Sequence, residues 1–245
     1  MKKKTIGIIG GIAPPSTIDY YQKIITGYQN RTKSNHYPAI LINSIDMTKM
    51  LNLIDRKEFN ELIVYLSCEI QKLVSAGADF AVLASNTPHI VFDQLSKKSI
   101  IPMISIVDST AGYAKSLGLK KIGLFGTKST MQSEFYKTGF NKEKIELITP
   151  PLESQDFINK KYFDELVKGI FLEETKNKFI KIAFKMIEHD GIEGLVLGGT
   201  ELPFILKDED FINLKLLNTT SIHVDRILDF ALNNYSEFNF KEKIN

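Results

Sequence analysis

The sequence predicts an α/β protein made of two pseudo-symmetric, doubly wound parallel-sheet domains with the active site in the cleft between them. Three observations carry this. Short apolar runs rich in Ile, Val and Leu alternate with longer stretches of helical periodicity. The runs lack the polar alternation of a half-exposed strand, which is the pattern of parallel strands covered on both faces. The chain also repeats itself. Lys4–Thr17 (KTIGIIGGIAPPST) resembles Lys120–Met131 (KKIGLFGTKSTM). Gly77–Ile90 (GADFAVLASNTPHI) resembles Gly191–Phe204 (GIEGLVLGGTELPF), and Ile101–Ala114 (IPMISIVDSTAGYA) resembles Leu214–Ile227 (LKLLNTTSIHVDRI). The matches fall in the same order and at nearly the same offset, aligning Ile6 with Ile122, Leu83 with Leu197 and Ile106 with Leu217. This is the signature of a duplicated unit.

The strands are expected at Thr5–Ile9, Ala39–Asn43, Phe80–Ala84, Met103–Ile106, Lys121–Phe125, Ile145–Ile148, Gly194–Leu197 and Lys215–Leu217. Between them Ser16–Asn30, Glu58–Ser75, Thr110–Leu117, Met131–Phe140, Gln155–Val167, Glu174–His189 and Ile222–Asn233 space their apolar residues at the helical period. Strand–helix alternation implies parallel sheets with right-handed crossovers. No Gly/Ser/Pro-rich linker separates the halves. The chain is expected to cross at Ile101–Thr110 and to return at Asn213–Ser221, which makes the first domain 1–103 plus 215–245 and the second 104–214.

Composition narrows the function classes. The 245 residues carry 31 basic and 29 acidic side chains, a net charge of +2 that selects for neither nucleic acid nor a membrane surface. The start Lys2-Lys3-Lys4 neutralises too few phosphates for a nucleic-acid arm. Cys68 is the single cysteine, so no internal disulfide exists. Its place in a helical stretch predicts a buried core thiol. No apolar run approaches the ~18 residues of a membrane span, and Ile6–Ile12 leads into Pro14-Pro15 rather than a cleavage site, so a cytoplasmic protein without a signal peptide is expected.

Four loops follow predicted strands and open predicted helices, where backbone N–H groups are free to meet an anion. The first, Gly10–Thr17, offers Gly11, Ile12 and Thr17. A dinucleotide reading with Asp46 on a ribose fails, because the G-x-G-x-x-G spacing is absent and Pro14-Pro15 sits where a pyrophosphate would lie. The second, Ala84–His89, offers Ser85, Asn86, Thr87 and His89. The third is its repeat, Gly198–Pro203, with Gly199, Thr200 and Glu201. The fourth, Gly126–Met131, offers Thr127 and Thr130. Small polar side chains at strand ends can fork a carboxylate, although the same residue types also cap helices. A small carboxylate molecule is the expected partner.

Taken together, GG-x4-ST (Gly10–Thr17), NSID (Asn43–Asp46), NT-x-H (Asn86–His89), GLFGT-x2-TM-x3-FY (Gly123–Tyr136), YFDELVKG (Tyr162–Gly169) and G-x-TEL (Gly198–Leu202) resemble the signatures of the aspartate/glutamate racemase family, from Ile6 to about Phe230. The resemblance implies two pseudo-symmetric domains, no pyridoxal phosphate and no metal; many members are dimers, which makes a homodimer possible. It also implies racemisation by two thiols, one before NT and one before TE, that trade an α-proton across the substrate; thiols suit this because a site can bring their pKa near neutrality. Here those positions hold Ser85 and Gly199. Some members carry threonine at the first, so Ser85 is a known kind of change; loss of the second thiol leaves the acid–base pair to other residues. Ser85, His89 and Glu201 are the candidates, with Glu201 expected to enter the room left by Gly199. Lys168 resembles a family lysine that neutralises substrate carboxylates. Many members place an arginine after the second strand, where this chain has Asp46 and Lys49. His223 matches a family position and is expected to be structural, and His36 and His189 to lie on the surface. Decarboxylation or cis–trans isomerisation of a small acid, and carboxylate binding without turnover, stand as alternatives to racemisation.

Overall fold

The computed structural model describes residues 3–232. Lys2, Asn233 of the last predicted helix and the rest of the tail assigned to the first domain lie outside the described residues. The first half runs β1 (Ile6–Gly10), α1 (Pro14–Thr32), β2 (Ile40–Ser44), α2 (Met47–Asp55), α3 (Phe59–Ser75), β3 (Phe80–Leu83), a 3-10 turn (Thr87–Val91), α4 (Phe92–Lys98) and β4 (Met103–Ile104). The second runs α5 (Ile106–Ser116), β5 (Lys121–Gly126), α6 (Lys128–Gln132), α7 (Glu134–Lys142), β6 (Glu146–Ile148), α8 (Leu152–Asp164), a 3-10 turn (Leu166–Lys168), α9 (Glu173–Asp190), β7 (Gly194–Gly198), α10 (Leu202–Ile205) and β8 (Lys215–Asn218), and α11 (Thr219–Ala231) follows. The two sheets are all parallel and have the same order, β2-β1-β3-β4 and β6-β5-β7-β8. The repeats therefore superpose element on element: Ile6 pairs with Phe80 in one sheet as Ile122 pairs with Gly194 in the other. No helix among the described residues is long and apolar enough to cross a membrane.

Central strands β1, β3 and β7 are wholly buried, as their unbroken apolar runs require. Edge strand β2 is not: Ile42 is 43% exposed, so the two-sided burial expected of that run does not hold at the sheet edge. Helices α2, α4 and α10 were not legible as periodic stretches; at nine, seven and four residues they are too short to show a repeat. The expected helix Met131–Phe140 is broken at Ser133, whose backbone is extended and whose hydroxyl donates to the carbonyl of Ser129 at 2.5 Å. This is the local competition by which serine ends helices.

The two halves exchange helices. Ile106, Val107, Ala111 and Ala114 of α5 enter the core under β5–β8. Val224, Ile227, Leu228 and Ala231 of α11 enter the core with Tyr20, Ile24 and Tyr28 of α1. The expected boundaries at 103/104 and 214/215 fall inside β4 and just before β8, and β8 is hydrogen bonded to β7 in the second sheet. Two glycines explain how closely the exchanged helices pack. A Cβ on Gly27 would lie 2.6 Å from Leu228 Cδ1, and one on Gly139 would lie 2.5 Å from Val107 Cγ1. Each glycine costs about 1 kcal/mol of helix propensity and in return admits a neighbouring helix. Arg31 adds ion pairs to Asp225 and Asp229 at 2.8 and 2.6 Å. At the surface such pairs contribute about 0–1 kcal/mol each, so apolar burial does most of the fastening.

Candidate active site

The carboxyl ends of the two sheets meet at Asn86, just after β3. Its side-chain Nδ2 donates to Thr219 Oγ1 at 3.2 Å, and Thr219 donates to the Leu197 carbonyl at 2.9 Å. Its Oδ1 accepts from the Tyr136 hydroxyl of α7 at 2.5 Å. Asn86 thus joins β3, β7, α7 and α11 through one buried amide. Burial holds the Tyr136 phenol well above its ordinary pKa, so it stays a donor.

The same small device stands at the mouth of each half. Thr17 folds back over Gly10, where an added Cβ would come within 2.6 Å of its methyl, and its Oγ1 accepts from Gly11 N–H at 2.8 Å. Thr130 lies over Gly126 at 3.0 Å by the same measure, and over the end of β7 at Gly198. The strand-end glycines let a threonine cap each sheet. Ser16 donates to the Ala84 carbonyl at 2.8 Å, which ties the first loop to the second. Gly11 has φ +83°, a left-handed conformation that glycine accepts without strain, and Ile12 beside it is buried. Thr127 caps α6 by accepting from Thr130 N–H at 3.2 Å, and Thr87 opens the 3-10 turn.

His89 is fixed by backbone on both sides. The Ile106 N–H at the start of α5 donates to Nε2 at 3.1 Å. Nδ1 therefore carries the proton and donates to the Ser85 carbonyl at 2.9 Å. Burial, followed by the neighbouring His223, lowers its pKa to about 3. Neither ring nitrogen is free, so the expectation of a base or an activator of Ser85 gives way to a neutral histidine that caps α5 and shapes the loop. His223 has the structural role expected: Nε2 donates to the Ile104 carbonyl at 3.0 Å and Nδ1 accepts from the Tyr20 hydroxyl at 2.8 Å. The Ser85 hydroxyl has no hydrogen-bond partner among the described residues, although the residue is buried.

The second wall differs most from the sequence expectation. Glu201 does not enter the room left by Gly199; Tyr162 of α8 does. A Cβ on Gly199 would lie 2.5 Å from Tyr162 Cε2 and 3.0 Å from its hydroxyl oxygen. The Tyr162 hydroxyl donates to Glu201 Oε2, which also accepts from Thr200 Oγ1 at 2.8 Å. Burial, then the adjacent Glu201 carboxylate, raises the Tyr162 pKa well above the phenol range. The sequence held one signal for this: Tyr162 opens the YFDELVKG stretch, on the buried face of its helix.

Other candidates lie outside this cluster. Asp46 is exposed and caps α2, accepting from Lys49 N–H at 3.1 Å. Lys168 is exposed at the end of its 3-10 turn, and its side chain makes no hydrogen bond or ion pair among the described residues. Cys68 is exposed on α3, not the buried core thiol expected. His36 and His189 are exposed, as expected. Among the described residues no group of three or more His, Cys, Asp or Glu is placed to hold a metal ion. A groove of about 340 Å³ opens between the 87–91 turn, α5 and α7, but contains none of Ser85, Thr200 or Glu201. Those three are only 8%, 6% and 3% exposed and lie outside that groove.

Residues 9–227 match the family model described as Asp/Glu/hydantoin racemase. A solved candidate Asp/Glu racemase from Yersinia pestis is 31% identical and superposes with a TM-score of 0.86 over 94% of this chain and 99% of its own. An aspartate racemase homologue from Pyrococcus horikoshii is 32% identical, with a TM-score of 0.82 over 94% and 99%. The broad-specificity amino-acid racemase RacX of Bacillus subtilis is 29% identical over 54% of this chain, an alignment that spans 58% of RacX. On the family match and the two full-length structural relatives, this chain belongs to the Asp/Glu/hydantoin racemase family.

Proposed function

We propose that this protein is an amino-acid racemase or epimerase that moves an α-proton on a small amino acid without thiol chemistry. The observation that carries the reading is the pairing of a Ser85 hydroxyl without a partner with a buried Glu201 carboxylate held by two hydroxyls, each at the carboxyl end of a mirrored strand. The strand-end hydroxyls of Thr87, Thr127 and Thr130 suit the substrate carboxylate. Thr17 and Asn86 support those loops rather than binding directly. His89 acts as a positioning residue through the Ser85 carbonyl. Tyr162 and Glu201 are buried, so access of a substrate to that wall requires the loops of the two halves to part, a gating motion common at such sites. Incubating purified protein with each L-amino acid and resolving the product by chiral chromatography tests the reading. Appearance of the D form, lost in Ser85→Ala or Glu201→Gln, supports it; no D form from any amino acid sinks it.

A second reading is favoured by one feature. Ser85 has no base beside it, because both His89 nitrogens are engaged. Proton delivery from the Glu201 wall alone would suit decarboxylation of a malonate-like acid, and carbon dioxide release from a panel of such acids discriminates between the two.

A further inference from the structure

The duplicated halves make position 199 the counterpart of position 85: Gly199 stands two residues after Leu197 as Ser85 stands two after Leu83. In the first half that position carries its own hydroxyl. In the second it carries no side chain, and the space a side chain would start from is filled by a phenol delivered from α8. Gly199 and Tyr162 are therefore complementary: a Cβ on Gly199 would lie 2.5 to 3.0 Å from two ring carbons and the hydroxyl oxygen of Tyr162. The ring is not a passive filler, because its hydroxyl donates to Glu201, itself 3% exposed.

We propose that Tyr162, backed by Glu201, is the proton carrier of the second wall, standing in the place that a side chain at position 199 would occupy. This rests on the α-proton transfer proposed above. The substrate Cα–H bond breaks toward the Tyr162 oxygen while the phenol's own O–H bond breaks toward Glu201 Oε2. The electron pair of the C–H bond stays on the substrate as a carbanion delocalised into its carboxyl group. Tyr162 ends neutral, Glu201 ends protonated, and reversal of both transfers returns a proton to carbon. No free phenolate forms at any point, which accords with a phenol that burial and a neighbouring carboxylate keep protonated. Thr200, donating to the same carboxylate oxygen at 2.8 Å, keeps it aimed at the ring.

The two walls are then unequal. Ser85 is a bare hydroxyl with no base, whereas Tyr162 has one. The enantiomer that turns its α-hydrogen toward Tyr162 exchanges that hydrogen with solvent faster than it inverts.

The test follows separate L- and D-amino acids in deuterium oxide by NMR, with chiral chromatography for inversion. Wild type is compared with Tyr162→Phe, which keeps the ring in place, and with Glu201→Gln. The expected result is exchange outpacing inversion for one enantiomer, slowed about 100-fold or more in each variant, with amino-acid-dependent thermal stabilisation retained in Tyr162→Phe. Exchange by wild type that persists undiminished in Tyr162→Phe overturns the assignment and leaves the racemase reading intact. Should Tyr162→Phe not fold, undiminished exchange in Glu201→Gln overturns it equally. No exchange by wild type with any amino acid overturns the racemase reading and this assignment together.

Discussion

Replacing Gly199 by alanine adds one methyl group to a site with no room for it. The methyl carbon would stand 2.5 Å from Tyr162 Cε2, 3.0 Å from Cζ and 3.0 Å from the hydroxyl oxygen. Gly199 is not among the glycines with positive φ, so the backbone accepts alanine and the cost is steric alone. Overpacking of this kind costs about 1–3 kcal/mol. If the ring swings aside instead, Tyr162 loses its hydrogen bond to the Glu201 carboxylate, at about 1.5–3 kcal/mol. The reduced freedom of the unfolded chain returns only about 0.4–1 kcal/mol. A net destabilisation of about 0.5–2.5 kcal/mol follows, or roughly 2–4 °C of melting temperature for each kcal/mol in a chain of this size. The decisive comparison is a double-mutant cycle with Tyr162→Ala, read by urea unfolding. Without the ring, Gly199→Ala becomes nearly neutral, and the two substitutions couple by about 1–3 kcal/mol. A neutral Gly199→Ala in the wild-type background, or an equal cost in both backgrounds, would refute the claim that the ring fills this space.

Three further outcomes are expected. Stability is full above about pH 6.5 and falls as pH drops, because His89 and His223 are held neutral, with pKa values lowered to about 3 and about 4 chiefly by burial, while in the unfolded chain they titrate near 6.5. Between pH 6.5 and those values each histidine contributes a slope of about 1.4 kcal/mol per pH unit. His223→Gln should halve the slope measured by urea unfolding between pH 6.5 and 5, and an unchanged slope would contradict the burial argument. Tyr136→Phe strips the donor from Asn86 Oδ1; a buried unpaired amide oxygen costs about 1–3 kcal/mol, read as a lower melting temperature, and no change would mean that the amide finds another partner. Thr17→Val keeps the shape over Gly10 but removes the acceptor for Gly11 N–H, so calorimetry should show about 1–2 kcal/mol of lost stability; wild-type stability would show that this bond does not hold the loop.

Much of the fold was legible because parallel strands buried on both faces must be written as apolar runs. Each of the eight expected runs contains a strand, although the run Met103–Ile106 is strand only over Met103–Ile104 and its Ile106 opens α5, and the duplication located the strand ends and the loops that follow them. The errors have physical causes. Edge strand β2 is half covered, α2 is fixed by its Asp46 cap, and the four-residue α10 by burial of Leu202 and Ile205, rather than by periodicity. At the site, the loops could be read but not what fills them. His89 stands four positions after Ser85 and reads as its activator, yet α5, packed beside the loop, takes its second nitrogen through Ile106. Glu201 stands two positions from Gly199 and reads as its replacement, yet a tyrosine on α8 reaches the space first. Both outcomes depend on long-range neighbours that local spacing does not encode. Cys68 misled for the opposite reason: a helix that is largely apolar still has an outer face, and the thiol is on it.

The central claim is that this family member moves an α-proton without sulfur. Its most direct test is α-proton exchange in deuterium oxide, measured by NMR on a mixture of amino acids, for wild type before and after iodoacetamide and for Cys68→Ser. Exchange at equal rates in all three samples is the predicted result. Exchange that disappears with the one thiol, or that is absent from the wild type, would contradict it.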